Sequence, residues 1–255
     1  MATALITGAT AGIGAAFARA CAARGDDLVL VARDAERLAS NAARLAETYG
    51  VEVQTLPADL SVRADVLRIA QRLEDRERPI DLLVNNAGFG MHARLLDPDI
   101  GEHEYALDVM CLAVLILGGA AGRAMRERHH GRIINVSSLA AWIAQGHYSA
   151  IKAWVKTYSE GLANELHGTG VTVTALCPGW VRTEFHQRAG IRTSAIPDWV
   201  WVDADRCAVE ALADADRGRT ISVPTKRWKT ARRLNQLVPR AVIRKASRIL
   251  ASSRE

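Results

Sequence analysis

A tyrosine and a lysine that could perform acid–base chemistry stand one helical turn apart in the sequence. Tyr148 and Lys152 open a segment with helical spacing, so their side chains project from the same face. A phenol ordinarily has a pKa of ~10, but a neighbouring ammonium group stabilises the phenolate and lets the phenol exchange protons with a substrate. The same spacing also occurs on ordinary helix surfaces, so the pair needs support from its surroundings.

A serine placed ten residues before Tyr148 supplies part of that support. Ser138 follows the apolar run 132–136, which we expect to be a strand. Its hydroxyl could polarise a substrate carbonyl beside the tyrosine. The alternative is a turn former or a helix cap, which is the commoner role of serine at a strand end.

The N-terminal segment carries a glycine-rich loop between a predicted strand and a predicted helix. Gly8, Gly12 and Gly14 are spaced four and two residues apart. Glycine lets the backbone approach a diphosphate closely, and the free N–H groups at the start of the helix stabilise its charge. A tight turn without a ligand is the alternative, but the flanking strand and helix favour a dinucleotide cradle. We also assign Thr10 and Ile13 to this cradle.

The residue after the second predicted strand indicates which dinucleotide binds. A fold that prefers NAD usually has an acidic residue there, for the ribose 2′-hydroxyl. Arg33 stands there instead, and a guanidinium pairs well with a 2′-phosphate, so we predict NADP. The adjacent Asp34 keeps NAD as an alternative, and a solvated arginine at the start of the next helix is a third reading.

Two further strand ends carry polar residues that could face the same ligand. Asp59 follows the third predicted strand, where it could accept a hydrogen bond from the adenine amino group or cap the next helix. We assign the adjacent Leu60 to the cofactor as well. Asn85–Gly88 follows the fourth strand, where asparagine side chains can bind neighbouring strands and keep this edge rigid.

Short apolar runs alternate with longer helical segments, and this alternation predicts the fold. The apolar runs span residues 3–7, 27–32, 51–56, 82–85, 132–136, 171–177 and, more weakly, 220–223. The helical segments span residues 13–24, 35–49, 61–77, 101–128, 148–167 and 203–216. Such alternation is typical of parallel strands covered on both faces. We predict an α/β doubly wound parallel sheet, a Rossmann fold, in a single domain over 1–225, with a substrate lid at about 180–202 and a basic amphipathic tail at 226–255.

Composition and charge limit the classes of protein to consider. The 255 residues are 49% hydrophobic and 24% charged, as in ordinary globular domains. The net charge of +5 belongs to residues 226–255, which hold ten Lys or Arg and one acid, so the slightly acidic body argues against a nucleic-acid binder. The longest apolar stretch has 13 residues, too few to cross a bilayer. The cysteines have no C-x-x-C spacing and we see no signal segment at the start, so we expect a cytoplasmic protein. No spacing of His, Asp or Glu resembles a metal site, so we predict no metal.

These motifs together resemble the short-chain dehydrogenase/reductase family over about residues 3–224. The shared motifs are TGxxxGIG at 7–14, Asp59, NNAG at 85–88, Ser138 with Tyr148-x-x-x-Lys152, and Pro178-Gly179 with Thr183. The resemblance implies hydride transfer between a nicotinamide and a carbonyl compound or alcohol. It makes Tyr148 the general acid/base, Ser138 the carbonyl orienter, and Lys152 the residue that binds the ribose and tunes the tyrosine. The remaining implied cofactor-binding residues are Asn86, Ala87, Gly88, Pro178, Gly179, Val181 and Thr183.

Two positions depart from the family pattern. Nine residues separate Ser138 from Tyr148 where the family usually has about 12, so either the loop is trimmed or Ser137 shares the role. Met110 stands where the family often has an asparagine that belongs to a water-mediated proton relay, and a thioether holds such a water poorly. We expect the backbone of that helix or His147 to substitute.

The substrate and the assembly are predicted only by class. Aromatic residues such as Trp142 and Trp180 flank the site and suggest a small-molecule substrate that is bulky and apolar or flat, a carbonyl compound or an alcohol, although a lid packing its own aromatics is at least as compatible. The family often forms dimers or tetramers through its fourth and fifth helices, and the apolar face at 109–117 is compatible with a homo-oligomer.

The tail could lie on an anionic membrane, on another subunit, over the pocket or on its own domain. A regulatory or scaffold protein that binds cofactor with little catalysis is the alternative function.

Overall fold

The computed structural model describes residues 2–91, 93–185, 197–239 and 241–243. Its strands are β1 Thr3–Thr7, β2 Asp27–Ala32, β3 Val53–Pro57, β4 Leu82–Asn85, β5 Gly131–Val136, β6 Val171–Leu176 and β7 Ile221–Ser222. They form one seven-stranded sheet in the order β3-β2-β1-β4-β5-β6-β7, and all neighbouring strands run parallel. The order reverses between β1 and β4, which opens a crevice at the carboxyl ends of these strands. The predicted doubly wound Rossmann fold is therefore confirmed.

The continuous apolar runs form strands because both faces of the sheet are covered. Leu5 and Ile6 are consecutive in β1 and both fully buried, yet they belong to core clusters on opposite faces. Phe17 and Cys207 pack in the cluster with Ile6, and Ile69 packs in the cluster with Leu5. A strand at the centre of such a sheet has no solvated face, which explains why its sequence does not alternate.

The helices form the two covering layers. They are α1 Gly12–Ala22, α2 Ala35–Tyr49, α3 Arg63–Leu73, α4 Gly101–Leu107, α5 Ala113–Glu127, α6 Gly146–Glu165, α7 Ala204–Asp216 and α8 Lys226–Leu237. The core cluster on one face includes residues of α1, α2 and α7, and the cluster on the other includes residues of α3, α5 and α6.

A π-helical turn interrupts the helical segment that the sequence predicts over 101–128. Asp108–Leu112 forms this turn between α4 and α5, and Met110 inside it is 1% exposed. The helical run Gly101–Glu127 is long and apolar enough to cross a bilayer, but most of that stretch is buried inside the protein. It therefore has the environment of a core helix. Single π-turns inside α-helices are frequent at functional sites.

Part of the predicted lid and part of the predicted tail fall within the described residues. Val181 and Val202 form an isolated parallel bridge, which ties the two ends of the 180–202 segment to each other. Helix α8 lies on the domain, because Trp228 covers Gly179. His92, 186–196, Arg240 and 244–255 lie outside the described residues, and with them the rest of the predicted lid and of the basic tail. The division at residue 225 stays a prediction.

Candidate active site

The glycine loop between β1 and α1 has the backbone that a diphosphate requires. Gly8 and Gly12 adopt φ values of +66° and +55°, which favour glycine. A Cβ on Gly14 would collide with the carbonyl oxygen of Gly8, so the loop could not close around a larger residue. Helix α1 begins without a side-chain cap and has no acidic residue in its first turn. Its free N–H groups and positive end therefore suit an anion such as the diphosphate of a dinucleotide.

Asn86 fixes this loop to the end of β4. Its Nδ2 donates to the carbonyl oxygens of Thr7 (2.8 Å) and Gly8 (3.3 Å). The hydroxyl of Thr7 accepts from the backbone N–H groups of Asn86 (2.9 Å) and Ala87 (3.0 Å). These reciprocal bonds lock the two strand ends on either side of the crevice, which is the rigid edge that the asparagine motif predicts.

A buried chain of side-chain hydrogen bonds runs from β4 to α6. Asn85 Nδ2 donates to Asn135 Oδ1 (2.9 Å), and Asn135 Nδ2 donates to Ser159 Oγ (2.9 Å). The Ser159 hydroxyl then donates to the carbonyl oxygen of Val155 (2.7 Å). The chain connects the strands that end at the predicted site to the helix that carries Tyr148.

The structure brings the predicted serine, tyrosine and lysine together. Ser138 hydrogen-bonds with the phenol of Tyr148 while its Oγ also accepts from the N–H of Ala140 (3.1 Å), so it acts as a helix cap as well as a tyrosine partner. Burial raises the pKa of Tyr148 to about 12, and the bond from Ser138 opposes this shift. The phenol therefore stays protonated at neutral pH in this environment.

Lys152 approaches the same tyrosine from the next turn of α6. Its Nζ lies 5.6 Å from the centre of the Tyr148 ring and donates to the carbonyl oxygen of Val136 (3.0 Å). The residue is 5% exposed, and burial lowers its pKa from 10.5 to about 8. The ammonium group still carries its charge at pH 7, beside the phenol that it is predicted to tune.

Ser137 does not reach the tyrosine. Its hydroxyl is buried and donates to the backbone carbonyl oxygen of Lys152 (2.6 Å). This bond joins the end of β5 to α6 and occupies the hydroxyl proton. The shortened loop left open whether Ser137 shares the role of Ser138. The structure places Ser138 at the site and Ser137 beneath it.

Met110 takes the place of a polar side chain behind the site. Its sulfur lies 3.1 Å from the position of a Cβ on Gly88, and Lys152 Nζ lies 3.6 Å from the same point. The thioether thus fills space next to the lysine without offering a strong hydrogen-bonding group. The adjacent thiol of Cys111 has its pKa raised to about 11 by burial, so it is neutral at pH 7.

The residues after β2 are arranged for the outer end of a dinucleotide. Arg33 is exposed, and its Nη1 donates to the hydroxyl of Tyr105 (2.5 Å). Asp34 caps α2 by accepting from the N–H of Arg37 (2.9 Å). Arg37 pairs with Glu184 (2.7 Å), and this side-chain hydrogen bond raises the arginine's pKa. Tyr105 and Arg37 belong to this region without any motif that could have identified them.

Asp59 lies at the predicted position, but it does not cap α3. Its Oδ1 accepts from both the N–H (2.9 Å) and the hydroxyl (2.8 Å) of Ser61, which shapes the turn before the helix. The helix starts later, with Val62 at its N-cap, so the capping alternative is wrong in detail. Leu60 is buried in the core. The contact of these two residues with adenine stays a prediction.

The residues after β6 border the opposite side of the glycine loop. The Thr183 Cβ lies 3.2 Å from the position of a Cβ on Gly12, which brings this predicted nicotinamide contact to the loop. Trp228 covers Gly179 so closely that its Nε1 is 2.6 Å from the position of a Cβ there. This role of Trp228 was not predictable, because nothing in the tail sequence indicates where it folds back.

The aromatic residues near the site pack mainly against one another. Trp180 and Trp201 make an edge contact with ring centres 5.7 Å apart. Phe185 lies closer to the chemistry, 6.0 Å from the ring of Tyr148. Trp142, which shares a cluster with Trp228, lies beneath the serine segment. Within the described residues, no group of three or more potential metal ligands comes together.

Comparisons with known proteins identify the relatives of this chain. A family model for short chain dehydrogenases matches residues 2–192. Ketoacyl reductase HetN from Nostoc sp. is 30% identical over 226 residues, which cover 87% of this chain and 77% of that protein. A short-chain dehydrogenase from Sphingobium yanoikuyae, solved in complex with NADPH, is 35% identical with a TM-score of 0.83, covering 92% of this chain and 94% of that one. The bulky-bulky ketone specific alcohol dehydrogenase from Comamonas testosteroni is 30% identical with a TM-score of 0.79, covering 92% of each.

The fold and the site together define a nicotinamide-dependent oxidoreductase with a Rossmann domain. More particularly, the chain belongs to the short-chain dehydrogenase/reductase family. The resemblance carried by the sequence motifs is thereby confirmed, as are the fold class and the class of enzyme.

Proposed function

We propose that this protein is an NADP(H)-dependent reductase that converts an apolar ketone or aldehyde to the alcohol, or catalyses the reverse reaction. The observation that carries the proposal is the convergence of Ser138, Tyr148 and Lys152, with Lys152 next to Gly88 at the end of the β4 segment that Asn86 fixes to the glycine loop. The relatives include a short-chain dehydrogenase solved with NADPH and a ketone-specific alcohol dehydrogenase, which supports this substrate class.

The residues around the crevice fit the parts of NADPH, which supplies the hydride when it is bound. The loop Gly8–Gly14 would hold the diphosphate, and Lys152 would hold the nicotinamide ribose. Arg33 would hold the 2′-phosphate, because it bonds the neutral hydroxyl of Tyr105 and forms no salt bridge with the acidic residues that the structure describes. One carboxylate oxygen of Asp34 caps α2, so this residue is less available to bind the ribose 2′-hydroxyl of NAD.

Proton transfer in the proposed reaction depends on Tyr148. A phenol with a pKa of about 12 stays protonated, so it can donate to the oxygen of a carbonyl as that oxygen gains negative charge. The Ser138 hydroxyl would bond the same oxygen and orient it. The ammonium group of Lys152 stabilises the phenolate that remains, since it lies 5.6 Å from the ring.

The assembly and the compartment complete the proposal. Leu107, Leu112 and Leu115 expose apolar surface along α4 and α5, and Trp154 stacks on Tyr158 at the neighbouring edge of α6, with ring centres 5.1 Å apart. We expect two copies of the chain to bury this face in a homo-oligomer. The four cysteines are free and buried, which suits a reducing cytoplasm.

A panel of aliphatic and aromatic ketones and aldehydes tests the proposed activity through the oxidation of NADPH. The matched variant is Tyr148→Phe, which removes only the phenolic hydroxyl. We expect it to bind NADPH as the native protein does, measured by nicotinamide fluorescence, and to lose turnover by about 10²-fold or more. Unchanged turnover in this variant would refute the role of the tyrosine.

The same panel decides between this enzyme and the alternative of a cofactor-binding regulatory protein. Met110 favours that alternative, because it places a thioether where a proton relay would need a polar group. Binding of NADPH without its oxidation across the whole panel would support the regulatory protein. Oxidation with any member above the rate of Tyr148→Phe would support the reductase.

A further inference from the structure

Two histidines outside the proton-transfer group face each other at the start of the helix that carries Tyr148. His147 is the residue immediately before the tyrosine, and His103 lies on α4. Their Nδ1 atoms are 2.7 Å apart, and their ring centres are 4.7 Å apart. The other ring nitrogen of His103, Nε2, lies 3.1 Å from the carbonyl oxygen of Arg94. The pair thus connects α6, α4 and the loop before α4.

The partners of His103 determine where the hydrogens lie. A carbonyl oxygen only accepts, so Nε2 of His103 must carry a hydrogen to bond Arg94. In a neutral imidazole the other nitrogen is then an acceptor, so Nδ1 of His103 accepts and Nδ1 of His147 donates. The donors therefore point in one direction, from His147 through His103 to Arg94.

The first turn of α6 lacks a side-chain cap. Its N-cap, Gln145, makes no side-chain capping bond, and Gly146 has a φ of +64° with open space around its Cα. The N–H of Gln145 donates to the hydroxyl of Ser149 (3.2 Å), which secures one side of the turn. The bond from His147 to His103 secures the turn from outside the helix. A helix start without a cap tends to fray, and here that start holds Tyr148.

We propose that His103 is a positioning residue for the reaction, because through His147 it holds the first turn of α6, and thus Tyr148, in place. The inference rests on the proposed reductase for its effect on turnover, but the bond itself can be tested without any turnover. It gives the protein a support for the tyrosine that bridges α4 and α6 directly.

The two imidazoles make this support sensitive to pH. A single added proton leaves the bond in place, because whichever Nδ1 carries the hydrogen donates and the other ring accepts in its alternative neutral tautomer, whereas two added protons set two N–H groups against each other and break the bond. Burial and the charge of His103 both lower the pKa of His147. The support is therefore present near neutral pH and is lost only under acidic conditions, where both rings of the pair carry an added proton.

The other titratable and charged groups near the pair belong to the loop before α4, to α4 itself and to the start of α6. In the loop and the first turn of α4, Asp97 accepts from the N–H of Arg94, Asp99 from the N–H of Gly101, and Glu102 from the N–H of Ala93. Glu104 also belongs to α4. On the side of α6, the titratable residues are Tyr148 and Lys152.

Two matched variants separate the bonds of His103. His103→Asn keeps a carbonyl acceptor near the position of Nδ1 and cannot be protonated there, so it retains the bond to His147. His103→Gln places its amide near the position of Nε2 and retains only the bond to Arg94. With NADPH and a carbonyl compound that the panel identifies, we expect kcat to fall about tenfold in His103→Gln and to stay near the native value in His103→Asn. The KM for NADPH should not change in either variant.

The pH profile gives a result that a merely structural role would not produce. The native protein should lose kcat under acidic conditions, where both rings of the pair are protonated, and His103→Asn should not show this loss, because its amide cannot take up a proton. Equal kcat in the Asn and Gln variants, or the same acid limb in native protein and His103→Asn, would overturn the proposal.

Two measurements on the protein alone distinguish failure of this inference from failure of the proposed activity. Long-range ¹H–¹⁵N NMR of the imidazoles, assigned with the variants, should show hydrogen on Nε2 of His103 and on Nδ1 of His147. Hydrogen exchange should be about tenfold faster in His103→Gln at amides 150–152, whose helical acceptors lie in or just after the first turn, and unchanged in His103→Asn. If both hold and no carbonyl compound is reduced, the proposed activity is wrong and the support stands. If either fails, the support is refuted whatever the activity.

Discussion

Replacing Lys152 by methionine should stabilise the protein while removing its proposed activity. Burial lowers the pKa of this lysine from 10.5 to about 8, so its charge in the folded state costs about 3 kcal/mol at pH 7. Methionine has a similar length and no charge. The substitution also removes the hydrogen bond to the Val136 carbonyl oxygen, which is worth about 1.5 kcal/mol for a charged donor. We therefore expect Lys152→Met to raise the free energy of unfolding by about 1.5 kcal/mol at pH 7.

The pH dependence of this gain identifies its cause. Between pH 8 and 10.5 the unfolded chain holds the lysine proton more strongly than the folded protein, so the stability of the native protein rises with pH over that range. The methionine variant has no such group. The excess in its free energy of unfolding over that of the native protein should be largest below pH 8. It should disappear towards pH 10, where the native lysine is neutral in the folded state.

Urea unfolding followed by tryptophan fluorescence at pH 7 and near pH 10 measures both effects. Lys156→Met is the matched control, because Lys156 lies one turn further along α6 and pairs with Glu160 (2.6 Å). The free energy of unfolding of Lys156→Met should lie slightly below that of the native protein, and this difference should not change with pH in the same way. If Lys152→Met is less stable than the native protein at pH 7, or if its advantage does not change with pH, the reasoning from burial is wrong.

Three further substitutions test the cofactor cradle, the cofactor preference and the assembly. Gly14→Ala should abolish NADPH binding by fluorescence and lower the melting temperature, because its Cβ would collide with the carbonyl oxygen of Gly8; normal binding would contradict the proposed cradle. Arg33→Ser should raise the Kd for NADPH about tenfold or more and leave the Kd for NADH within about twofold, since only NADPH has the 2′-phosphate; equal losses for both would exclude that contact. Leu115→Glu should convert an oligomer to a monomer in light scattering, because Leu115 is 46% exposed on the apolar face of α5; an unchanged mass would place the interface elsewhere.

The sheet was predictable from the sequence because its strands are buried on both faces. Residues 28–32 are apolar without interruption, and they form β2 together with Asp27. The first and last residues of a strand were less predictable where the strand lies at the edge of the sheet and meets solvent. The run 51–56 becomes Val53–Pro57, and the weak run at 220–223 pairs only over Ile221–Ser222, at the edge of the sheet. Edge strands bury less, so their sequences carry a weaker pattern.

The candidate site was predictable to the extent that its residues follow strand ends or share a helix face. Ser138 and Tyr148 meet because β5 and α6 place them at one edge. The His103 and His147 pair was not predictable, because its members come from elements 44 residues apart and no motif links them. The π-turn around Met110 was also missed, since its residues are as apolar as those of the surrounding α-helix.

The hydrogen-bond chain from Asn85 through Asn135 to Ser159 has a consequence for redesign. Each donor in it meets an acceptor, and turning either amide over would set two donors or two acceptors against each other. The chain of hydrogen bonds therefore holds two strands and a helix together in a single relative orientation. New loops grafted over the crevice to change the substrate would inherit an intact proton-transfer group only if these three polar side chains are left as they are.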